Sequence, residues 1–205
     1  MRGCRPLTDA EVSLVAKSFS GTFAKRNKAL FVVGHRTGFR ISELLSLTAG
    51  DVRQHGKIVD HLSVQRRHMK GGKAGKTSSR TVALHPEARA ALSVWLETLT
   101  KMLKGTLDPM TPVFCSRVRD TATGLRRHIS REQAWRILKA AFTSNELSGK
   151  LGTHAMRKTF CNRVYDLLKH DLVKCQRAMG HANINSTVQY LNFREEEIDA
   201  AILAA

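Results

Sequence analysis

The sequence predicts an α+β fold that is mostly helical and carries a small antiparallel three-stranded sheet. Three observations carry this expectation. Apolar residues recur at helical spacing in capped segments near both ends of the chain. Between Asp51 and Leu84 the pattern changes to short β-type runs, and no internal repeat or low-complexity linker divides the 205 residues.

Thr8-Asp9-Ala10-Glu11 has the form of a capping box, so a first helix starts there: the Thr8 hydroxyl accepts from the amide three residues on, and Glu11 reaches back. Residues 22–37 form a second, largely buried helix through Ala29-Leu30-Phe31-Val32-Val33, stopped by Gly38 as a left-handed C-terminal residue. Ser42 is expected to cap a short third helix. Ile58-Val59, Leu62-Ser63-Val64 and Thr81-Val82-Ala83-Leu84 are the strand candidates, separated by glycines and charges. Pro86 suits the first turn of the next helix, where Leu92, Trp95, Leu96, Leu99 and Leu103 repeat at helical spacing. A short strand at Val113-Phe114-Cys115 precedes a basic loop. Ser130-Arg131-Glu132-Gln133 then opens a helix through Trp135, Leu138 and Phe142. Thr153 starts another, with Met156, Phe160, Val164, Leu167 and Leu168 expected inward, and Asp171 and Gly180 bracket a shorter one. From about Ile184 helical patches alternate with polar breaks, and the chain ends in an acidic and then apolar tail over 194–205.

With 34 Lys and Arg against 17 Asp and Glu, the formal net charge is +17, and the pI is about 10.4. A hydrophobic share of 42% fills a real core, so wholesale disorder is excluded. The charge makes nucleic acid the leading partner, and the 6% aromatic share favours phosphate contacts over stacking on single-stranded bases. Cys4, Cys115, Cys161 and Cys175 are scattered with no C-x-x-C pair, against both a disulfide framework and a structural zinc site. They read as reduced thiols. The N-terminus has no apolar run behind its charges, so a soluble, cytoplasmic, nucleoid-associated protein is expected, with no membrane partner.

Residues 66–80 hold six Lys or Arg and no acid: Arg66, Arg67, Lys70, Lys73, Lys76 and Arg80. Gly75-Lys76-Thr77 mimics the end of a P-loop. That motif needs Gly where Lys70 stands and a helix where a strand follows, so nucleotide binding is rejected. The segment is then either a β-hairpin that carries amines toward a phosphate or a solvated basic turn, and charge alone favours the turn. His154 and Arg157 sit three apart on a helix opened by Thr153, on one face near its positive end, where an anion fits. Taken alone, such a pair is more simply a surface His and Arg.

The pair is not alone. "TGFRISELLSL" at 37–47, "THAMRKTF" at 153–160 and "MGHANINSTVQYL" at 179–191 resemble, in order and spacing, the first-arginine, His-x-x-Arg and Gly-His to Tyr boxes of the tyrosine recombinase (phage integrase) family. The resemblance runs from about Leu7 to Phe193. It implies a catalytic domain of that family and a catalytic set of Arg40, a hairpin lysine, His154, Arg157, His181 and Tyr190, with Glu43 as a supporting carboxylate. Lys70 mirrors the family's lysine at the start of the hairpin turn, and Lys73 and Lys76 remain alternatives. The chemistry is coherent: a phenolate holds the phosphate covalently, two guanidiniums offer paired donors to its non-bridging oxygens, and an amine protonates the departing 5′ oxygen. Glu43 either fixes Arg40 or caps its helix.

The resemblance implies site-specific DNA strand exchange through a 3′-phosphotyrosine intermediate. A non-catalytic DNA-binding relative or truncated product, and a type IB topoisomerase-like activity, are the alternatives. Double-stranded DNA is the expected partner, met by Arg66, Arg67, Lys73, Lys76, Arg80, Arg126, Arg127 and Lys158, with assembly as a homo-oligomer. No metal, cofactor or small-molecule substrate is expected, because neither H-E-x-x-H nor a paired carboxylate cluster is present. The chain is expected to form one catalytic domain over 1–205 without the helical core-binding domain that most integrases place first, either as a short recombinase or as a truncated product. The 194–205 tail docks on a neighbouring subunit or on its own.

Overall fold

A helix begins wherever a side chain takes up the first free amides, and the opening of the chain does this as expected. In the computed structural model, which describes residues 3–64, 80–119, 121, 124, 126–191 and 195–204 (195–198 by backbone alone), α1 spans Asp9–Ser18. Glu11 N donates to Thr8 Oγ1 at 3.2 Å, and Glu11 Oε2 accepts from Thr8 N at 2.8 Å. Arg5 pairs with the same carboxylate at 2.5 Å. The chain forms two units, Met1–Phe160 and Cys161–Ala205, and the division falls inside α7 (Thr153–Leu167).

In the first unit, α2 (Ala24–Thr37) ends at Gly38 in the left-handed region, φ 60°, as the sequence predicts. Gly34 and Gly38, one turn apart, present no side chain. A Cβ on Gly34 would lie 2.5 Å from Met156 Sδ, and one on Gly38 would run into the Phe160 ring. These missing side chains let α7 close onto α2, with Met156 and Phe160 repeating the same one-turn step. α5 (Pro86–Leu103) has Pro86 at its first position and buries Leu92, Trp95, Leu96 and Leu99, and Trp95 Nε1 donates to Val113 O at 2.6 Å. α6 (Arg131–Ser144) is capped by Ser130 Oγ, which accepts from Gln133 N at 3.0 Å. Leu138 and Phe142 are buried, while Trp135 is 46% exposed.

Three local expectations change. α3 (Ile41–Leu45) is capped at Arg40 rather than Ser42, because the Glu43 carboxylate reaches back to Arg40 N at 2.7 Å and leaves Ser42 exposed inside the helix. α4 (Ala49–Val52) precedes the strands, with Asp51 Oδ2 accepting from Thr48 N at 2.8 Å. Instead of one three-stranded sheet, the described residues form three two-stranded antiparallel ladders. His55 (φ 48°) and Gly56 (φ 79°) make a two-residue turn that folds β2 (Lys57–Ile58) back onto β1 (Arg53–Gln54), which sequesters the Ile58 run. β3 (His61–Val64) therefore pairs with β4 (Arg80–Ala83) alone, in the register Leu62↔Val82 and Val64↔Arg80. The strand expected at 113–115 starts at Cys115: β5 (Cys115–Arg119) pairs with β6 (Arg126–His128), so the basic loop is itself a hairpin. Val113 and Phe114 are buried, and Val113 N donates to Leu47 O at 2.9 Å.

On α7, Met156 is buried but Leu167 is 82% exposed. Ala155 to Thr159 are consecutively buried, so this turn holds its polar groups by pairing them. Thr159 Oγ1 donates to Ala155 O at 2.9 Å and accepts from Leu7 N at 2.8 Å.

The second unit holds α8 (Leu172–Met179), α9 (Asn185–Val188) and α10 (Glu195–Ala204). Asp171 caps α8 by accepting from Lys174 N at 2.9 Å, and Gly180 ends it at φ 63°, both as expected. Cys161 and Cys175, distant in sequence, meet with their sulfurs 3.8 Å apart, and that thiol contact lowers the Cys175 pKa. Ile202 and Leu203 of α10 are exposed. Among the described residues no helix is long and apolar enough to cross a membrane.

Candidate active site: an arginine cluster and a histidine–tyrosine pair

The turn between α2 and α3 places four consecutive backbone or ring groups in the grip of charged side chains. Thr37 O and Gly38 O, at the negative end of the α2 dipole, accept from Arg80 Nη2 (2.8 Å) and Arg157 Nη1. The Phe39 ring lies under the Arg80 guanidinium, 4.8 Å from its centroid. Arg40 N donates to Glu43 Oε2, and Arg40 Nη1 donates to Glu43 Oε1 at 2.9 Å. One carboxylate therefore both caps α3 and orients Arg40, so both roles considered for Glu43 are present. Glu43 is 1% exposed, whereas 27% of the Arg40 side chain faces solvent.

Arg157 is buried at 1% exposure and Arg80 at 6%. Burial first, and then the like charge of Arg157, push the Arg80 pKa down to about 9, with Glu43 opposing and Arg40 adding to the fall. Arg80 thus remains a cation at neutral pH. The His154 pKa is lowered by desolvation and then by the positive charges of Arg157, Arg40, Arg131 and Lys158, all of which disfavour the imidazolium. Arg40 pairs with Glu43, and Arg80 feels the charges of Arg157, Glu43 and Arg40, an excess of positive charge suited to an anion with several oxygens.

Within the Cys161–Ala205 unit, His181 follows the left-handed Gly180. Its N donates to Gln176 O at 3.2 Å, and its O accepts from Gln176 Nε2 at 3.0 Å. The ring is set by Thr187, fully buried, whose Oγ1 is 2.9 Å from His181 Nδ1. If the hydroxyl donates, Nε2 carries the imidazole proton, and if it accepts, Nε2 is the acceptor. The His181 and Tyr190 rings are tilted by 40° with centroids 5.4 Å apart. Tyr190 N donates to Thr187 O at 2.9 Å, and Tyr190 O accepts from Asn162 Nδ2 at 3.0 Å.

The first unit thus gathers Arg40, Glu43, Arg80 and Arg157, with His154 and Lys158 within electrostatic reach, and the second gathers His181 and Tyr190. Lys70, Lys73, Lys76, Arg66 and Arg67 lie outside the described residues. Of the cations expected to meet DNA, Arg80 is buried in the cluster and Lys158 is 8% exposed. Arg127 is exposed on β6, and Arg126 donates through Nη1 to Ser116 O at 3.0 Å. Asn162 carries no sequence signal, because its bond to Tyr190 spans 28 residues. Among the described residues no group of three or more His, Cys, Asp or Glu side chains is placed to hold a metal ion.

This mostly helical architecture with small hairpins is that of a tyrosine-recombinase catalytic domain. It is similar to a solved XerH site-specific recombinase bound to palindromic difH substrate, with a TM-score of 0.69 and 21% identity over 96% of this chain and 51% of that one. The chain belongs to the phage integrase family, whose model matches residues 7–197. It is 29% identical to the probable integrase/recombinase YoeC of Bacillus subtilis (strain 168), covering 96% of this chain and 94% of YoeC. It is 28% identical to the tyrosine recombinase XerC of Pseudomonas putida F1, covering 94% of this chain but 57% of that protein. The chain thus spans nearly all of YoeC and little more than half of XerC.

Proposed function

We propose that this chain is a site-specific DNA recombinase that breaks and rejoins strands through a covalent 3′-phosphotyrosine. The observation that carries the proposal is the grouping of Arg157, Arg40 and its partner Glu43 about Arg80, in a chain whose family model continues to Tyr190. Tyr190 Oη attacks the scissile phosphorus, a P–O bond forms, and the 5′ oxygen leaves with a proton from a lysine of the 65–79 segment, Lys70 by the family pattern. Arg40 and Arg157 stabilise the non-bridging oxygens of the pentavalent state, a task for which a planar guanidinium fork suits better than an amine. His154, whose charged form is disfavoured, takes the Tyr190 proton, and His181, oriented by Thr187, donates to the phosphate. Attack by the 5′ hydroxyl of a second strand reverses the step and completes the exchange. Double-stranded DNA is the substrate, bound by the basic surface that includes Arg127, and subunits assemble on it, with the exposed apolar side chains of α10 offered to a neighbour.

The test is a denaturing gel with labelled half-site DNA. The wild type forms a covalent adduct in the presence of chelator, because arginines supply the charge stabilisation. Tyr190→Phe binds the same DNA and forms no adduct. An adduct surviving in Tyr190→Phe, or one that requires magnesium, overturns the mechanism. Two-site recombination assayed beside plasmid relaxation separates strand exchange from a topoisomerase.

A further inference from the structure

We propose that Arg80 is a positioning residue of the strand-cleaving site, a third arginine that acts on the phosphate through the Arg40 turn rather than by touching DNA. The inference rests on the recombinase reading above. Arg80 is the first residue of β4, opposite Val64, and both are buried. Its guanidinium does two things at once: Nη2 donates to Thr37 O at 2.8 Å, and its plane covers the Phe39 ring, with the Phe160 ring 5.9 Å from it. Thr37 and Phe39 are three and one residues before Arg40. Together with Arg157 on Gly38 O and Glu43 on Arg40 N, Arg80 completes a clamp on every residue from Thr37 to Arg40. The grip is non-local, spanning 43 residues, so neither helix provides it for itself. Val64 is the last residue of β3 and Arg80 the first of β4. One side chain therefore ties the start of β4 to the turn that presents Arg40.

The charge of Arg80 points to the same role. A desolvated cation beside Arg157 and Arg40 is unfavourable in the DNA-free protein, and an apolar side chain of similar volume would relieve that cost. When a phosphodiester acquires its extra charge in the transition state, the same cation becomes favourable, because a buried charge acts over several ångströms in a low-dielectric surrounding. Lysine would supply charge without the plane that stacks on Phe39 while donating to Thr37 O.

The test uses the full chain with Arg80→Met and Arg80→Lys. Urea stability, half-site affinity and single-turnover adduct formation are measured, the last on a normal scissile phosphodiester and on a methylphosphonate that lacks one non-bridging charge. Arg80→Met is expected to be at least as stable as the wild type and to bind half-site DNA within about threefold of it, while cleavage of the phosphodiester falls about 100-fold. On the methylphosphonate the loss shrinks to about tenfold or less, and Arg80→Lys recovers part of the phosphodiester rate. Cleavage by Arg80→Met within about threefold of wild type, or an equal loss on both substrates, overturns the proposal. If Arg80→Met does not fold, the same comparison made with Arg80→Lys decides. A wild type that forms no Tyr190-dependent adduct instead removes the recombinase reading itself, an outcome distinct from a wild-type adduct that ignores Arg80.

Discussion

Replacing Glu43 removes two things from one place: the cap of α3 and the carboxylate that pairs with Arg40. Loss of an N-terminal cap costs about 1 kcal/mol. Removing one partner of a buried ion pair costs about 3–5 kcal/mol when both partners are enclosed. Here Glu43 is 1% exposed but the Arg40 side chain is 27% exposed, so Arg40 rehydrates and the second contribution lies at or below the bottom of that range. Glu43→Ala is therefore expected to destabilise the first unit by about 3 kcal/mol, which for a chain of this length lowers Tm by about 6–12 °C. Glu43→Gln keeps a carbonyl oxygen for Arg40 N and loses only the charge, so about 1–2 kcal/mol is expected. Urea unfolding followed by tryptophan fluorescence measures this cleanly, because Trp95 and Trp135 both lie in the unit that carries Glu43. A Glu43→Ala protein within about 0.5 kcal/mol of wild type would refute the reasoning, since no surface pair behaves as a cap and a buried counter-charge together.

Gly38→Ala places a Cβ at φ 60° against the Phe160 ring, and a loss of about 2–4 kcal/mol in urea unfolding is expected; a neutral effect would mean that α7 shifts freely. For His154, a pKa below 6.5 in the folded state means that the unfolded chain binds the proton first, so stability falls as pH drops through that region. An NMR midpoint at or above 6.5 for the His154 ring would contradict the cause assigned to it. The hydrogen bond from Arg5 lowers the Glu11 pKa from 4.5 to about 2. Its contribution is present above pH 4.5 and fades as pH falls toward 2, so Glu11→Gln should cost about 1 kcal/mol at pH 7 after solvent screening and close to nothing at pH 2. A difference that does not change with pH would assign the effect to packing.

Where a structural decision is made within one turn of backbone, the residues of that turn announce it. The Thr8–Glu11 box, the left-handed Gly38 and Gly180, Pro86 at the start of α5 and Asp171 at the start of α8 all stand as the sequence predicts, because each pairs groups no more than four residues apart. Glu43 is the boundary case: the i,i+3 spacing admits either a cap or an arginine partner, and in the fold its two oxygens serve one each. Pairing between segments is decided elsewhere. The His55–Gly56 turn diverts β2 to β1 and leaves β3 with β4, and a basic loop becomes a hairpin by finding Cys115–Arg119. Arg80 illustrates the limit most fully. In the sequence it is the last cation of a basic run and looks destined for solvent; in the fold, β-pairing with Val64 turns it inward onto a carbonyl 43 residues away. A strand's alternation fixes that a side chain faces one way or the other, but which way is the core depends on what the rest of the chain brings there.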